Sequence, residues 1–214
     1  GLEGSDAIAY YLSSLEQVFE QASLPEYVAA IVVEPVQGEG GFIPAPLEWV
    51  QAVREICDRH GILLIVDEVQ SGFCRTGRLF ASDYWAEAGI RPDVVCGASV
   101  GAIVGAAYAT GELDRFEDWV RGMDRRRVMS YMDFNLTGGM LKGERLVSYM
   151  RAHFDDRPIE ALATPFAAVA TALHSGDEVW LRSGSVADAV RASFALPGLF
   201  TPVWHEGRVL VDGG

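Results

Sequence analysis

Apolar residues recur along this chain in two rhythms, and their alternation predicts its architecture. Ile8, Tyr11, Leu12, Leu15, Val18 and Phe19 follow the three-to-four-residue spacing of one helix face, so residues 6–22 are expected to form an amphipathic helix ended by Pro25. Ala29-Ala30-Ile31-Val32-Val33 and Ile62-Leu63-Leu64-Ile65-Val66 are instead continuous apolar runs of strand length, which suit parallel strands covered on both faces. Between them, Trp49, Val50, Val53 and Ile56 mark one face of a helix over 47–60, with Gly61 as its stop. A short helix near Phe80–Ala88 then leads to a third strand at Val94-Val95. Strand, helix, strand, helix, strand at this spacing predicts an α/β fold, a mostly parallel sheet with helices on both faces.

Beyond that point the spacing predicts helices over 100–110, 115–123 and 142–154, the last with Leu146, Tyr149, Met150 and Phe154 on its apolar side. Residues 124–141 read as irregular. Strands are expected at 166–172 and 178–181, joined by a Ser175-Gly176 turn. A helix over 185–194, capped by Ser185 and stopped by Pro197-Gly198, precedes a hairpin turn at His205-Glu206-Gly207-Arg208 into Val209-Leu210-Val211. Residues 94–111 carry no charge, the lower limit for a membrane span, but four glycines, Ser99 and Thr110 interrupt them. A buried strand, turn and helix explain that stretch better, so no transmembrane segment is expected.

Composition narrows the class. Half of the 214 residues are hydrophobic and 22% are charged, which is a globular balance. The net charge of −13 is uneven: residues 1–93 hold five arginines and no lysine against fifteen acids, whereas residues 94–214 hold twelve basic residues against fifteen. Such a chain is a poor partner for nucleic acid, whose affinity comes largely from Lys and Arg neutralising phosphates. Arg125-Arg126-Arg127, the one basic cluster, reads as a solvated turn, with contact to an anionic head group as the alternative. Cys57, Cys74 and Cys96 lack paired spacing, so no metal site is expected and the thiols suggest a reducing, cytoplasmic setting. The opening Gly1-Leu2-Glu3-Gly4 lacks the basic start and apolar core of a signal peptide.

Two stretches carry chemistry. In Gly97-Ala98-Ser99-Val100-Gly101 a serine stands between glycines at a strand-to-helix turn. Glycines there admit backbone angles and close packing that a Cβ forbids, leaving the hydroxyl exposed and the next N–H aimed where an oxyanion would form. A tight-turn serine is the structural alternative. Asp67 ends an apolar strand, where open α/β sheets place ligands, or else is a strand-end acid paired with Arg75 or Arg78.

Residues 28–93, with Glu34-Pro35-Val36-Gln37-Gly38-Glu39-Gly40-Gly41-Phe42, Leu64-Ile65-Val66-Asp67-Glu68-Val69-Gln70-Ser71-Gly72-Phe73 and Arg75-Thr76-Gly77-Arg78, closely resemble the class III aminotransferases. The likeness covers residues 1–95, and these are pyridoxal-phosphate enzymes that include 4-aminobutyrate and acetylornithine aminotransferases. The resemblance implies that Asp67 pairs with the pyridinium nitrogen, Val69 lies under the ring, Gln70 meets its phenolic oxygen and Glu39 lies near substrate. It also implies a Schiff-base lysine a few residues after Pro92-Asp93, where Ser99 stands. The single lysine, Lys142, falls in a segment unlike an aminotransferase, and Cys74 replaces the usual glycine. Transamination is therefore not expected.

Residues 94–214 resemble the bacterial patatin-like phospholipases through Gly97-Ala98-Ser99-Val100-Gly101-Ala102, Ala192-Ser193-Phe194-Ala195-Leu196-Pro197-Gly198-Leu199-Phe200-Thr201-Pro202-Val203 and Asp212-Gly213-Gly214. That resemblance implies a three-layer α/β/α fragment and a Ser99–Asp212 dyad. It also implies a lipid or small ester substrate, no cofactor, and peripheral rather than spanning membrane contact. A triad using His205 with Asp177 or Asp188 is the alternative, as is a turn role for Asp212. The family's glycine-rich oxyanion loop is replaced by aminotransferase-like sequence, and Glu39 in Gly38-Glu39-Gly40-Gly41 would repel an oxyanion. Asp212 also stands two residues from the last, where fraying is expected. The expectation is a mosaic, an aminotransferase-like fragment at 1–93 and a patatin-like fragment at 94–214, with impaired serine acyl hydrolase activity. The alternatives are an inactive aminotransferase fragment and a non-catalytic chain associating into homo-oligomers through sheet edges.

Overall fold

The computed structural model describes residues 4–124, 126–127, 141, 143–153 and 156–214. Arg125, Lys142, Phe154 and most of the stretch expected to be irregular lie outside them. The chain divides into two compact units, Gly1–Arg91 and Pro92–Gly214.

In the first unit, helix α1 (Gly4–Gln21) and helix α2 (Leu47–His60) form where the apolar spacing predicts. Gly61, in the left-handed region at φ 68°, ends α2 by donating its N–H to the Cys57 carbonyl. Strand β1 (Ala30–Val33) pairs in parallel with strand β4 (Leu63–Val66), Ile31 opposite Leu64 and Val32 opposite Ile65. Val53, Cys57 and Ile62 make the buried centre, packed by Leu12, Leu15 and Phe19 of α1 and by Ile31 and Leu64. Because side chains alternate along a strand, Val32, Leu63 and Ile65 fall on the other face, and they are exposed. The expectation of cover on both faces fails here, since the helices that pack on this two-stranded sheet supply one layer. Tyr11 and Val18 of α1 are likewise exposed.

Two details depart from the sequence pattern. The glycine-rich stretch after β1 holds a hairpin, β2 (Val36–Gln37) antiparallel to β3 (Ile43–Pro44). Residues 80–88 form two 3-10 turns, Ala81–Tyr84 and Ala86–Ala88, instead of one helix. Glu68 accounts for the first turn: its carboxylate accepts the N–H groups of Ala81 and Ser82 at 3.1 and 2.7 Å, a capping arrangement from outside the turn. Gly89, at φ 79°, ends the second.

The second unit is built on a five-stranded, partly parallel sheet. Strand β5 (Val95–Ala98) pairs in parallel with β6 (Phe166–Ala172), so the partner of this expected third strand is β6 and not β4. The other ladders are antiparallel: β7 (Glu178–Leu181) on β6, β9 (Arg208–Asp212) on β6, and β8 (Val203–His205) on β9. Glu206 and Gly207, at φ 45° and 79°, make the tight β8–β9 turn. Helices α3 (Val100–Thr110), α4 (Leu113–Arg121), α5 (Glu144–His153) and α6 (Val186–Ser193) complete the unit. Ser185 caps α6, its hydroxyl accepting the Asp188 N–H at 3.0 Å. Among the described residues no helix is long and apolar enough to cross a membrane. The uncharged run at 94–111 is β5, a turn and α3, whose small side chains lie close on the sheet: a Cβ on Gly105 would sit 3.1 Å from Phe166 and Val95.

All three cysteines are free. Burial pushes the Cys57 thiol up, because the thiolate loses its hydration among Val53 and Ile62. Its neutral form therefore adds stability that is present in full below the ordinary thiol range and lost as pH rises through the raised value. At neutral pH an alkylating reagent should modify the exposed Cys96 readily and Cys57 only after denaturant unfolds the first unit, as read by mass spectrometry of the digested protein.

Candidate active site

Strand β6 brings Ser99 and Asp212 together. Strand β7 occupies one edge of β6 from Ala168 to Thr171, so β5 and β9 share the other edge. There β5 runs up to Ala98 opposite Val169, and β9 runs in the opposite direction down to Asp212 opposite Ala170. The carboxyl ends of two strands thus meet head to head at adjacent rungs. The next residue after Ala98 is the serine.

Ser99 sits at φ 54°, ψ −123°, a conformation costing a non-glycine residue about 1–3 kcal/mol. The bend throws its side chain clear of the sheet and folds α3 back over β5. Gly97 makes this possible, since a Cβ there would lie 2.2 Å from the Gly101 carbonyl oxygen and 2.6 Å from the Ala102 nitrogen. Gly101 has no such role: its added Cβ meets nothing within 4 Å. The Ser99 hydroxyl donates to Asp212 Oδ2 at 2.7 Å.

Asp212 is nine-tenths buried, and hydrogen bonds hold it and the two residues after it. Its N–H donates to the Ala195 carbonyl at 3.0 Å, and the Gly213 N–H donates to the Ser193 carbonyl at 3.1 Å. The Gly214 N–H donates to Oδ1 at 2.9 Å, which leaves Oδ2 to face the serine. Gly213 is as demanding as Gly97, because a Cβ on it would fall 2.0 Å from the Val169 carbonyl oxygen. Ser193 joins the two sides and went unassigned in the sequence. Fully buried at the end of α6, its hydroxyl accepts the Ser99 N–H at 3.0 Å and donates to the Val169 carbonyl at 2.5 Å. Its position in the Ala192–Pro197 stretch marks it as part of a motif, but only the fold reveals what it touches.

The histidine alternative is not assembled. The Ser99 hydroxyl is turned to Asp212, Asp188 pairs with Arg151, and His205 lies in β8 opposite Arg208. The other candidate residues belong to the first unit. Asp67 Oδ1 accepts the Val69 N–H at 3.0 Å, which makes a local turn at the end of β4 rather than the pairing with Arg75 or Arg78 weighed from sequence. Arg75 instead donates to the carbonyls of Val69 and Gln70, and to Gln70 Oε1 at 3.4 Å. Val69 is exposed, and Glu39 lies on the β2–β3 loop beside Gly38, where a Cβ would meet Gln70 at 2.9 Å. These residues do not fit a covalently held pyridoxal phosphate. The position implied for its lysine carries the Ser99 hydroxyl, already bonded to Asp212. Among the described residues no group of three or more His, Cys, Asp or Glu side chains could hold a metal ion.

A class-III aminotransferase family model matches residues 3–112, and a patatin-like phospholipase model matches residues 69–214. Each covers more than half of the chain, which belongs to both families, class-III aminotransferase in its first part and patatin-like phospholipase in its second. The two matches overlap over residues 69–112, which include β5 and α3. The chain is 50% identical over 94 residues to a 5-aminovalerate aminotransferase of Pseudomonas putida, covering 44% of this chain and 20% of that protein. It is 37% identical over 121 residues to an uncharacterized NTE family protein of Mycobacterium tuberculosis, covering 56% of this chain and 34% of that one. A solved transaminase from the marine bacterium Virgibacillus is 42% identical over 40% of this chain and 18% of its own, with a TM-score of 0.36. The chain thus spans about a fifth of its aminotransferase relative and about a third of its NTE-family relative.

The three glycines around Ser99 and Asp212 should behave differently. Gly97→Ala and Gly213→Ala should each destabilise the second unit by several kcal/mol or prevent folding, since each Cβ meets backbone. Gly101→Ala should be neutral or stabilising by up to about 1 kcal/mol, as a glycine-to-alanine change in a helix. Urea unfolding of the three variants distinguishes these outcomes.

Proposed function

We propose that the chain is a serine acyl hydrolase whose nucleophile is Ser99 and whose base is Asp212. The 2.7 Å hydrogen bond between them, formed at a strained strand-to-helix bend, is the observation that carries this reading. The Ser99 oxygen attacks an ester carbonyl while its proton passes to Asp212 Oδ2. The tetrahedral intermediate collapses, the leaving alkoxide takes that proton, and the acyl group stays on Ser99. Water then attacks the acyl-enzyme, gives a proton to Asp212, and releases the acid and the free serine, which recovers its proton. Apart from substrate and water, the groups that bond or carry the proton in this sequence are the Ser99 and Asp212 side chains, so the reaction calls on no cofactor.

The first turn of α3 supplies oxyanion donors, because the N–H groups of Val100 and Gly101 have no acceptor within their own helix. Each further donor that an oxyanion loop would bring is worth about 3 kcal/mol, so turnover is expected to be slow. The substrate class is an ester with an apolar acyl chain, a lipid or a small acyl ester. Exposed Val100 follows the nucleophile, and exposed Leu196 and Leu199 lie on the loop after Ala195, whose carbonyl holds the Asp212 N–H.

A fluorophosphonate probe should label the wild-type protein at Ser99, and Ser99→Ala should abolish labelling. Asp212→Asn should slow hydrolysis of a p-nitrophenyl ester on the order of 10² to 10⁴-fold while the protein remains folded. A folded wild-type sample that takes no label overturns the proposal.

A further inference from the structure

We infer that Ser193 is the positioning residue of the dyad, the group that holds the nucleophile's backbone and the base's strand in one frame. The inference rests on the hydrolase reading for its catalytic consequence, but its structural basis is independent of that reading. At Ser99 the parallel ladder has ended, with Ala98 the last residue of β5 paired to β6. No β6 carbonyl receives the next amide, that of Ser99. The Ser193 hydroxyl does so at 3.0 Å, and its own proton goes to Val169 at 2.5 Å. One hydroxyl therefore satisfies an amide and a carbonyl that the β5–β9 junction leaves without ladder partners.

The same residue acts on the base through its main chain. The Ser193 carbonyl accepts the Gly213 N–H at 3.1 Å, and the Ala195 carbonyl accepts the Asp212 N–H at 3.0 Å. Ser193 thus touches the backbone of the nucleophile and the residue next to the base, with no exposure to solvent. Its hydroxyl fixes the Ser99 amide plane, and with it the direction of the Cα–Cβ bond that aims the Ser99 oxygen at Asp212. Removing the hydroxyl takes the partner from both of these part-buried groups, a cost concentrated at the bend.

Full-length Ser193→Ala, Ser193→Thr and Ser193→Cys variants test this by amide hydrogen exchange and by steady-state hydrolysis of p-nitrophenyl butyrate. In Ser193→Ala the Ser99 amide should exchange at least about tenfold faster, while interior α3 amides such as Val104 keep their wild-type rates. The kcat should fall by about tenfold or more with KM within about twofold, because positioning acts on the reacting atoms and not on substrate binding. Threonine keeps the hydroxyl and should restore both readouts. Cysteine keeps the volume but hydrogen-bonds weakly, and should behave as alanine does. Unchanged Ser99 exchange in Ser193→Ala overturns the inference, as does a kcat loss no larger than the loss of folded protein. Wild-type protein without Ser99-dependent turnover overturns the hydrolase reading alone, and the Ser99 exchange rate still decides whether Ser193 holds the bend.

Discussion

Two strands end against each other on one edge of β6, and the chemistry of this chain depends on that junction. Pairing β5 in parallel and β9 antiparallel to the same strand brings residues more than a hundred positions apart to neighbouring rungs. Neither strand could supply the pair alone. The rung at Val169 and Ala170 sets the distance between the serine and the carboxylate, and β7 on the opposite edge holds β6 in place.

Such a junction crowds the backbone, and small residues absorb the crowding. Gly97 lets α3 fold back over β5, and Gly213 passes against the Val169 carbonyl. Gly105 lets the same helix approach Phe166 and Val95. Where the ladders stop, polar backbone groups would be left buried, and the Ser193 hydroxyl fills the gap between Ser99 and Val169. Strain at Ser99 persists because these contacts over-determine its conformation.

The first unit presents the opposite case. There Asp67 accepts the Val69 N–H, and Arg75 donates to the Gln70 side chain and to the Val69 carbonyl at the end of β4. Families with different chemistry meet within this one chain, and their matches overlap over residues 69–112, β5 and α3 among them. A buried apolar strand leading into a turn suits both. The side chain at the turn separates them: an aminotransferase requires an amine there, and this chain presents a hydroxyl with a carboxylate beside it.

Much of this was legible in the residues alone. Helical spacing located α1, α2, α3 and α6, and the Ser175-Gly176 and Glu206-Gly207 turns located the β6–β7 and β8–β9 hairpins, because these signals are local. The Gly-x-Ser-x-Gly pattern and the Asp212-Gly213-Gly214 stretch named the two groups of the proposed dyad. Ladder partners were not legible: β5 reads equally well beside β4 or β6, since an apolar run carries no record of which edge it meets. Nor was the exposure of Val32, Leu63 and Ile65, which depends on how many layers the surrounding chain supplies. The first of the short turns, at 81–84, is capped by Glu68, a residue distant in sequence. Periodicity and residue type were enough to define the elements and the chemistry available to them. That Asp212 faces Ser99, and that Ser193 holds the bend, was decided in three dimensions, because both arise from strand pairing between segments with no local relation.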